Sequence, residues 1–337
     1  MRIFLNLKNP EPFRRHFTLE GDTITPVIAD AEMVLNDQRL DTSQLSTYLV
    51  GGEFQLVSSA VEALGYKPTS RKSYDFVLTK WFDSHDFLEQ LIVGIPLKTL
   101  MNDDLGYIVE SGYACRYCND SSLQSVFDNA ELVSLLRALK YNGFVSFLLT
   151  FDLCVVSIES GVPCNGLYNI LEGCPGKLSD FFAFPRENPL MQSWSVNLML
   201  SCYPYPHTLK SDRQQVLGIN SGIEKHFWFN DLRGHSKAFY TDSSILGWST
   251  SWGPTVTEAN RRVLRTCRNL SVPLKQHRTD LSFVVNRQWG HLQALGLVEQ
   301  HHFDSQETTH DNEDNTFSSE SVHEPKETKV LEAEKTL

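Results

Sequence analysis

The stretch that most constrains this chain is its longest apolar run, Gly143 to Ile158. The run is short of the roughly 20 residues that a membrane-spanning helix needs, and Asp152 interrupts it. It therefore reads as a hairpin, with strands over Phe144–Phe151 and Leu153–Ile158 and a turn near Asp152. At 337 residues, 41% hydrophobic and 21% charged, the chain has the composition of a globular protein. A chain of this length buries most of the apolar surface it exposes when unfolded. It needs neither metal nor disulfide to fold.

Other segments can be read by period and punctuation. Arg2–Leu7 reads as a short buried strand. Phe54, Val57, Val61 and Leu64 fall at helical spacing after the Gly51-Gly52 turn, with Gly65 as the cap and Pro68 beyond it. Asp75–Phe82 alternates as a strand does. Asn129 is placed to cap a helix carrying Leu132, Leu135, Leu136 and Leu139. Residues 165–182 read as a loop and a short helix. Ser195–Cys202 is apolar and leads into the rigid Tyr203-Pro-Tyr-Pro206 turn. Thr255 and Glu258 make a capping-box pattern ahead of a helix with Val256, Ala259, Val263, Cys267 and Leu270 on one face.

The net charge of −11 is uneven. Residues 301–337 hold ten acidic and three basic side chains, which leaves −4 for residues 1–300. That tail has few aromatics, and residues 299–337 are expected to be disordered. The charge of the near-balanced body argues neither for nor against nucleic acid, and nucleic acid is not the expected partner. The N-terminal apolar run is too short and too polar for a signal peptide, and seven cysteines is an odd number. A cytoplasmic protein with reduced thiols, no membrane segment and no disulfide framework is expected.

Three segments carry a resemblance. Thr255-Val-Thr-Glu-Ala-Asn260 with its helix, followed by His277-Arg278-Thr279-Asp280-Leu281, is one. Leu97-Lys-Thr-Leu-Met-Asn-Asp-Asp-Leu-Gly106 is the second. Tyr141-Asn-Gly-Phe144 with the hairpin to Ile158 is the third. In order and spacing they resemble the ATP-grasp family, and within it phosphoribosylamine–glycine ligase, over roughly residues 75–285. The resemblance implies an α+β fold: a partial ATP-grasp-like domain with a small β-rich C-terminal domain and an acidic disordered tail. The divisions are a reduced N-terminal α/β segment (1–70), an ATP-grasp remnant (71–184), a C-terminal ligase-like domain (185–298) and the tail (299–337).

The departures from the family bear on function. Between Leu64 and Trp81 there is no room for the family's subdomain with its lysine and Gly-rich flap. After Gly106 the chain reads Tyr107-Ile-Val-Glu-Ser111 in place of a Gly-rich loop. Where the family has a glutamate and, two residues on, an asparagine as magnesium ligands, this chain has Ser157 and Glu159. Phosphoryl transfer depends on positioning and charge stabilisation, so these losses would remove most of it.

The candidate substrate-binding residues are Lys98, Asp103, Asp104, Arg278 and Asp280, and Glu159 is a candidate metal ligand. For each a structural reading competes. Lys98, Asp103 and Asp104 also fit a solvated loop, and Arg278 with Asp280 also fits an ion pair within a turn. Cys115-x-x-Cys118, with Cys164 and Cys174 downstream, lacks the second paired spacing of a zinc site. Arg261, Arg262, Arg265 and Arg268 form a basic cluster on what reads as the last helix. That cluster fits a solvated face, a nucleic-acid face or a docking site for the acidic tail.

The first functional expectation is a non-catalytic homologue acting as a subunit or regulator. It would bind no cofactor, and its partner would be an intact ligase or a second copy. The alternatives are a divergent carboxylate–amine ligase using ATP and magnesium, and a nucleic-acid-associated scaffold. Micromolar magnesium-ATP binding would favour the ligase, and salt-sensitive DNA binding the scaffold.

Overall fold

In a computed structural model the chain divides into two units, residues 1–299 and 300–337. The structure describes six strand segments before residue 57, then residues 58–118, 122–139, 141–173, 193–230, 232–235 and 238–299. The Gly51-Gly52 turn, Cys174 and the tail after Glu299 lie outside the described residues. Among the described residues no helix is long and apolar enough to cross a membrane.

The strands in chain order begin with β1 Ile3–Asn6, β2 His16–Glu20, β3 Thr23–Val27, β4 Glu32–Leu35, β5 Gln38–Asp41 and β6 Glu53–Leu56. Then come β7 Phe76–Phe82, β8 Leu91–Thr99, β9 Ile108–Cys118, β10 Gly143–Leu149, β11 Val155–Ser160 and β12 Trp194–Cys202. The last are β13 Lys210–Val216, β14 Phe227–Phe229, β15 Arg233–His235, β16 Ala238–Ser243, β17 Ile245–Gly253 and β18 Lys275–Gln276. The helices are α1 Ser58–Ala63, α2 Ala130–Ala138, α3 Leu167–Glu172, α4 Ser221–Glu224, α5 Val256–Asn269 and α6 Leu281–Ala294.

One antiparallel sheet dominates, in the order β1-β6-β11-β10-β7-β8-β9-β12-β17-β14, with β18 also on β12. The fold is α+β. The sheet is covered on both faces, so β7 and β12 are buried along their whole length. Phe76, Leu78, Val93, Ile95 and Phe147 point to one face. There they meet Val61 of α1, Leu132 and Leu136 of α2, Val263 of α5 and Val285 and Trp289 of α6. Val77, Trp81, Ile92, Tyr113 and Phe144 point to the other, against Ile170 and Leu171 of α3. Gly94 has to be glycine, because a Cβ there would lie 1.7 Å from the Tyr113 hydroxyl that crosses it.

The expected hairpin is β10–β11, with Phe147 opposite Ile158 and Ser146 opposite Glu159. Asn129 caps α2: its Oδ1 accepts from Leu132 N–H at 3.0 Å, and its Nδ2 donates to Leu64 O at 2.7 Å. Thr255 caps α5 by accepting from Glu258 N–H at 3.1 Å. Only that half of the capping box is seen, since the Glu258 carboxylate turns to Arg262.

Two readings of the sequence are corrected. The helix expected from Phe54 starts at Ser58, because residues 53–56 pair with β1 and β11. Backbone pairing overrides the helical spacing of Phe54, while Gly65, at φ 81°, ends the segment as expected. The arginine-bearing helix is not the last, because α6 follows it.

Candidate functional site

The site forms where the loop after β8 meets the turn before α6. Residues 102–104 make a single tight turn in which Asp103 and Asp104 both have left-handed backbone, at φ 58° and 54°. Asn102 fastens it to the later turn, since its Nδ2 donates to Thr279 Oγ1 at 2.8 Å and its Oδ1 accepts from Thr279 N–H at 2.9 Å. Asp103 N–H donates to Asp280 Oδ2 at 2.9 Å.

Arg278 is the hub of this junction. Its side chain is 0% exposed. Nε donates to Asp280 Oδ1 at 2.8 Å and Nη2 to Asp280 Oδ2 at 2.7 Å, the fork-to-carboxylate geometry guanidinium favours. Nη1 donates to Thr99 Oγ1 at 2.7 Å, and both terminal nitrogens reach Asp104 Oδ1 at 3.2 Å. Arg287, on α6, donates to the other Asp104 oxygen at 3.0 Å. Burial works against charge on Arg278, yet Asp280 and Asp104 hold its pKa above the ordinary value. Burial likewise opposes ionisation of Asp280, and hydrogen bonds from Arg278 and Asp103 N–H hold it below the usual carboxylate range.

Four of the residues singled out in the sequence therefore meet: Asp103, Asp104, Arg278 and Asp280. Lys98 lies apart from them. Its Nζ sits 4.6 Å from the Tyr74 ring centroid and donates to Ser73 Oγ at 3.2 Å. Burial pulls its pKa down, against Asp75, Cys164 and Asp104. This second polar group includes Tyr74, whose hydroxyl is 3.2 Å from Cys164 Sγ, and Glu110. Burial pushes the Glu110 carboxyl up, a hydrogen bond with Cys164 opposes that, and Glu159 adds to it. Nothing in the sequence marked Thr99, Asn102, Tyr74 or Glu110 as a site residue, because each acquires its role from a partner distant in sequence.

Glu159 shares a face of β11 with Ser157, as the register expected from the sequence requires. Gln55 Nε2 on β6 donates to both, at 3.1 Å to Glu159 Oε1 and 3.2 Å to Ser157 Oγ. A magnesium ion takes oxygen ligands in near-octahedral geometry. Here one hydroxyl and one carboxylate are bridged by an N–H donor, where a cation would need acceptors. The donor set does not fit magnesium with a nucleotide.

Cys115 and Cys118 lie on opposite faces of β9, each in a different apolar cluster. Burial pushes both thiols up to about 12. Among the described residues no group of three or more His, Cys, Asp or Glu is arranged to hold a metal ion.

No protein-family model matches this chain, and no curated protein matches it. Solved structures do match. One is phosphoribosylamine–glycine ligase from Thermotoga maritima, at 13% identity and TM-score 0.41, over 62% of this chain and 55% of that one. Pyruvate carboxylase from Rhizobium etli matches at 12% identity and TM-score 0.41, over 72% of this chain and 24% of that one. The biotin carboxylase domain of the 2-oxoglutarate carboxylase from Hydrogenobacter thermophilus matches at 10% identity and TM-score 0.39, over 70% and 55%. The chain spans about half the length of the matched ligase and about a quarter of the pyruvate carboxylase. The ligase that the sequence motifs resemble is thus among the matched structures.

Proposed function

We propose that this protein is a non-catalytic homologue of phosphoribosylamine–glycine ligase, acting as a subunit or regulator in nucleotide metabolism. One observation carries the reading. The polar side chains standing at the ligase-like positions are closed on neighbours within the chain. Asp280, Asp104 and Thr99 surround Arg278, and Gln55 bridges Ser157 and Glu159. A substrate anion at Arg278 would have to displace two carboxylates from a buried guanidinium, and breaking such a pair is strongly unfavourable. The partner in this reading is an intact ligase or a second copy, in the cytoplasm.

Calorimetry with magnesium-ATP tests it. No heat of binding is expected at micromolar nucleotide. A clear micromolar affinity would overturn the reading in favour of a divergent ligase, for which the polar group of Lys98, Tyr74, Glu110 and Cys164 is the specific support.

A further inference from the structure

Far from the Arg278 junction, α3 lays two side chains one turn apart against the sheet: Tyr168 and Glu172. Glu172 is 0% exposed. Its Oε1 lies 2.7 Å from His226 Nδ1, and its Oε2 accepts from Thr250 Oγ1 at 3.0 Å. A carboxylate only accepts, so Nδ1 carries a proton, and in the neutral ring Nε2 presents a lone pair. The His226 side chain is 39% exposed, so the imidazole is oriented from below and reachable from above.

The aromatic neighbours repeat this geometry one step along. His226 directly precedes β14, and Thr250 N–H donates to His226 O at 2.8 Å. Two residues further on β14, Trp228 pairs with Trp248. The Tyr168 ring stacks on Trp228 at 4.4 Å and lies 6.0 Å from Trp248. Two residues of strand and one turn of helix both advance about 6 Å. A polar layer of Glu172, His226 and Thr250 therefore adjoins an aromatic layer of Tyr168, Trp228 and Trp248. Nε1 of Trp248 is buried with no hydrogen-bond partner among the described residues.

We propose that Glu172 and His226 form a second, chemically reactive site that takes acyl electrophiles, such as activated aryl esters, at His226 Nε2. The Nε2 lone pair adds to the ester carbonyl carbon. The acyl–oxygen bond breaks, and its electron pair leaves on the aryl oxygen. Glu172 holds the Nδ1 proton and balances the positive charge on the acylated ring. Water then adds to the acyl carbon and gives up a proton that ends on the phenolate; the C–N bond breaks, carboxylic acid is released and the neutral imidazole is regenerated. The net change is ester plus water to acid plus phenol. This site is independent of the ligase-like residues, so it stands whether or not nucleotide binds.

The test uses the full chain and p-nitrophenyl acetate, following release of the phenolate. The wild-type rate should exceed that of an equal concentration of free imidazole. Mass spectrometry of acid-quenched protein should place the acetyl group on the peptide containing His226. His226→Gln should lower the rate at least about tenfold. That variant leaves a buried carboxylate without its imidazole, so Glu172→Gln/His226→Gln, which restores a neutral hydrogen-bonded pair, decides the matter if the single variant does not fold. A rate no greater than free imidazole, an unchanged rate in the folded double variant, or acetyl found elsewhere would overturn the proposal.

Discussion

Arg278 and the arginines of α5 belong to neighbouring parts of the chain and meet opposite surroundings. Arg278 is wholly enclosed and makes hydrogen bonds to two carboxylates and a hydroxyl. Arg261, Arg265 and Arg268 are exposed and carry no ion pair among the described residues. Arg262 falls between, donating to Trp252 O at 2.8 Å and pairing with Glu258. In water a guanidinium needs no partner and gains little from one; inside the fold it needs every one it has. The comparison separates a charge that holds two segments together from charges that solvate a helix face.

The sharpest way to break this comparison is Arg278→Ala. The largely buried Asp280 carboxylate loses its cation, while the half-exposed Asp104 keeps Arg287, so a loss of roughly 3 kcal/mol in a urea melt is expected. Arg265→Ala should stay within about 0.5 kcal/mol of wild type. Equal, negligible effects would erase the contrast and make Arg278 a residue held ready for an anion.

Asp280→Asn comes next, at about 2 kcal/mol near neutral pH. Asp280 is held below its usual range in the folded state. Its contribution is therefore complete above the unfolded carboxylate value of about 3.9 and is lost as pH falls through the lower folded value. The gap between wild type and variant should be full at pH 6 and shrink below about pH 4. A gap independent of pH would show that the charge on Asp280 contributes nothing.

The smallest effect belongs to Lys275, which tests whether a basic residue at the end of α5 is structural where the stripe is not. Its Nζ donates to Cys267 O at 3.0 Å and to Leu270 O at 2.6 Å, closing the carbonyl end of the helix. Lys275→Met keeps the stem and removes the charge, and should cost about 1 kcal/mol in thermal denaturation. No change in the melt would place Lys275 with the solvated arginines.

Local signals were legible in the sequence wherever one segment carried them. The hairpin after Gly143, the Asn129 cap, the Thr255 cap and the shared face of Ser157 and Glu159 all follow from residues close together in sequence. Helix α6 escaped notice because Val284, Val285 and Gly290 weaken its helical signal, and tertiary burial of Leu281, Val285, Trp289 and Leu292 compensates. The start of α1 was misread because Phe54 suits both a strand and a helix. For the candidate site, Arg278 with Asp280 was legible as a pair two residues apart. Its closure by Thr99 and Asp104 was not, since those residues lie 179 and 174 positions away. The Glu172–His226 pair was hidden for the same reason, being 54 positions apart.

The fastening of residues 102–104 to residues 278–280 also sets an order of events during synthesis. Strands β7 to β9 can pair as soon as residue 118 has left the ribosome, since their contacts are between sequence neighbours. The turn at their tip cannot lock until the Asn102–Thr279 hydrogen bonds close, more than 170 residues later. Through that interval Asp103 N–H lacks the Asp280 carboxylate and Asp104 lacks the Arg278 and Arg287 guanidinium groups that later hold this left-handed turn. The nascent hairpin therefore waits with a loose tip, open to chaperones and proteases, until Arg278 arrives.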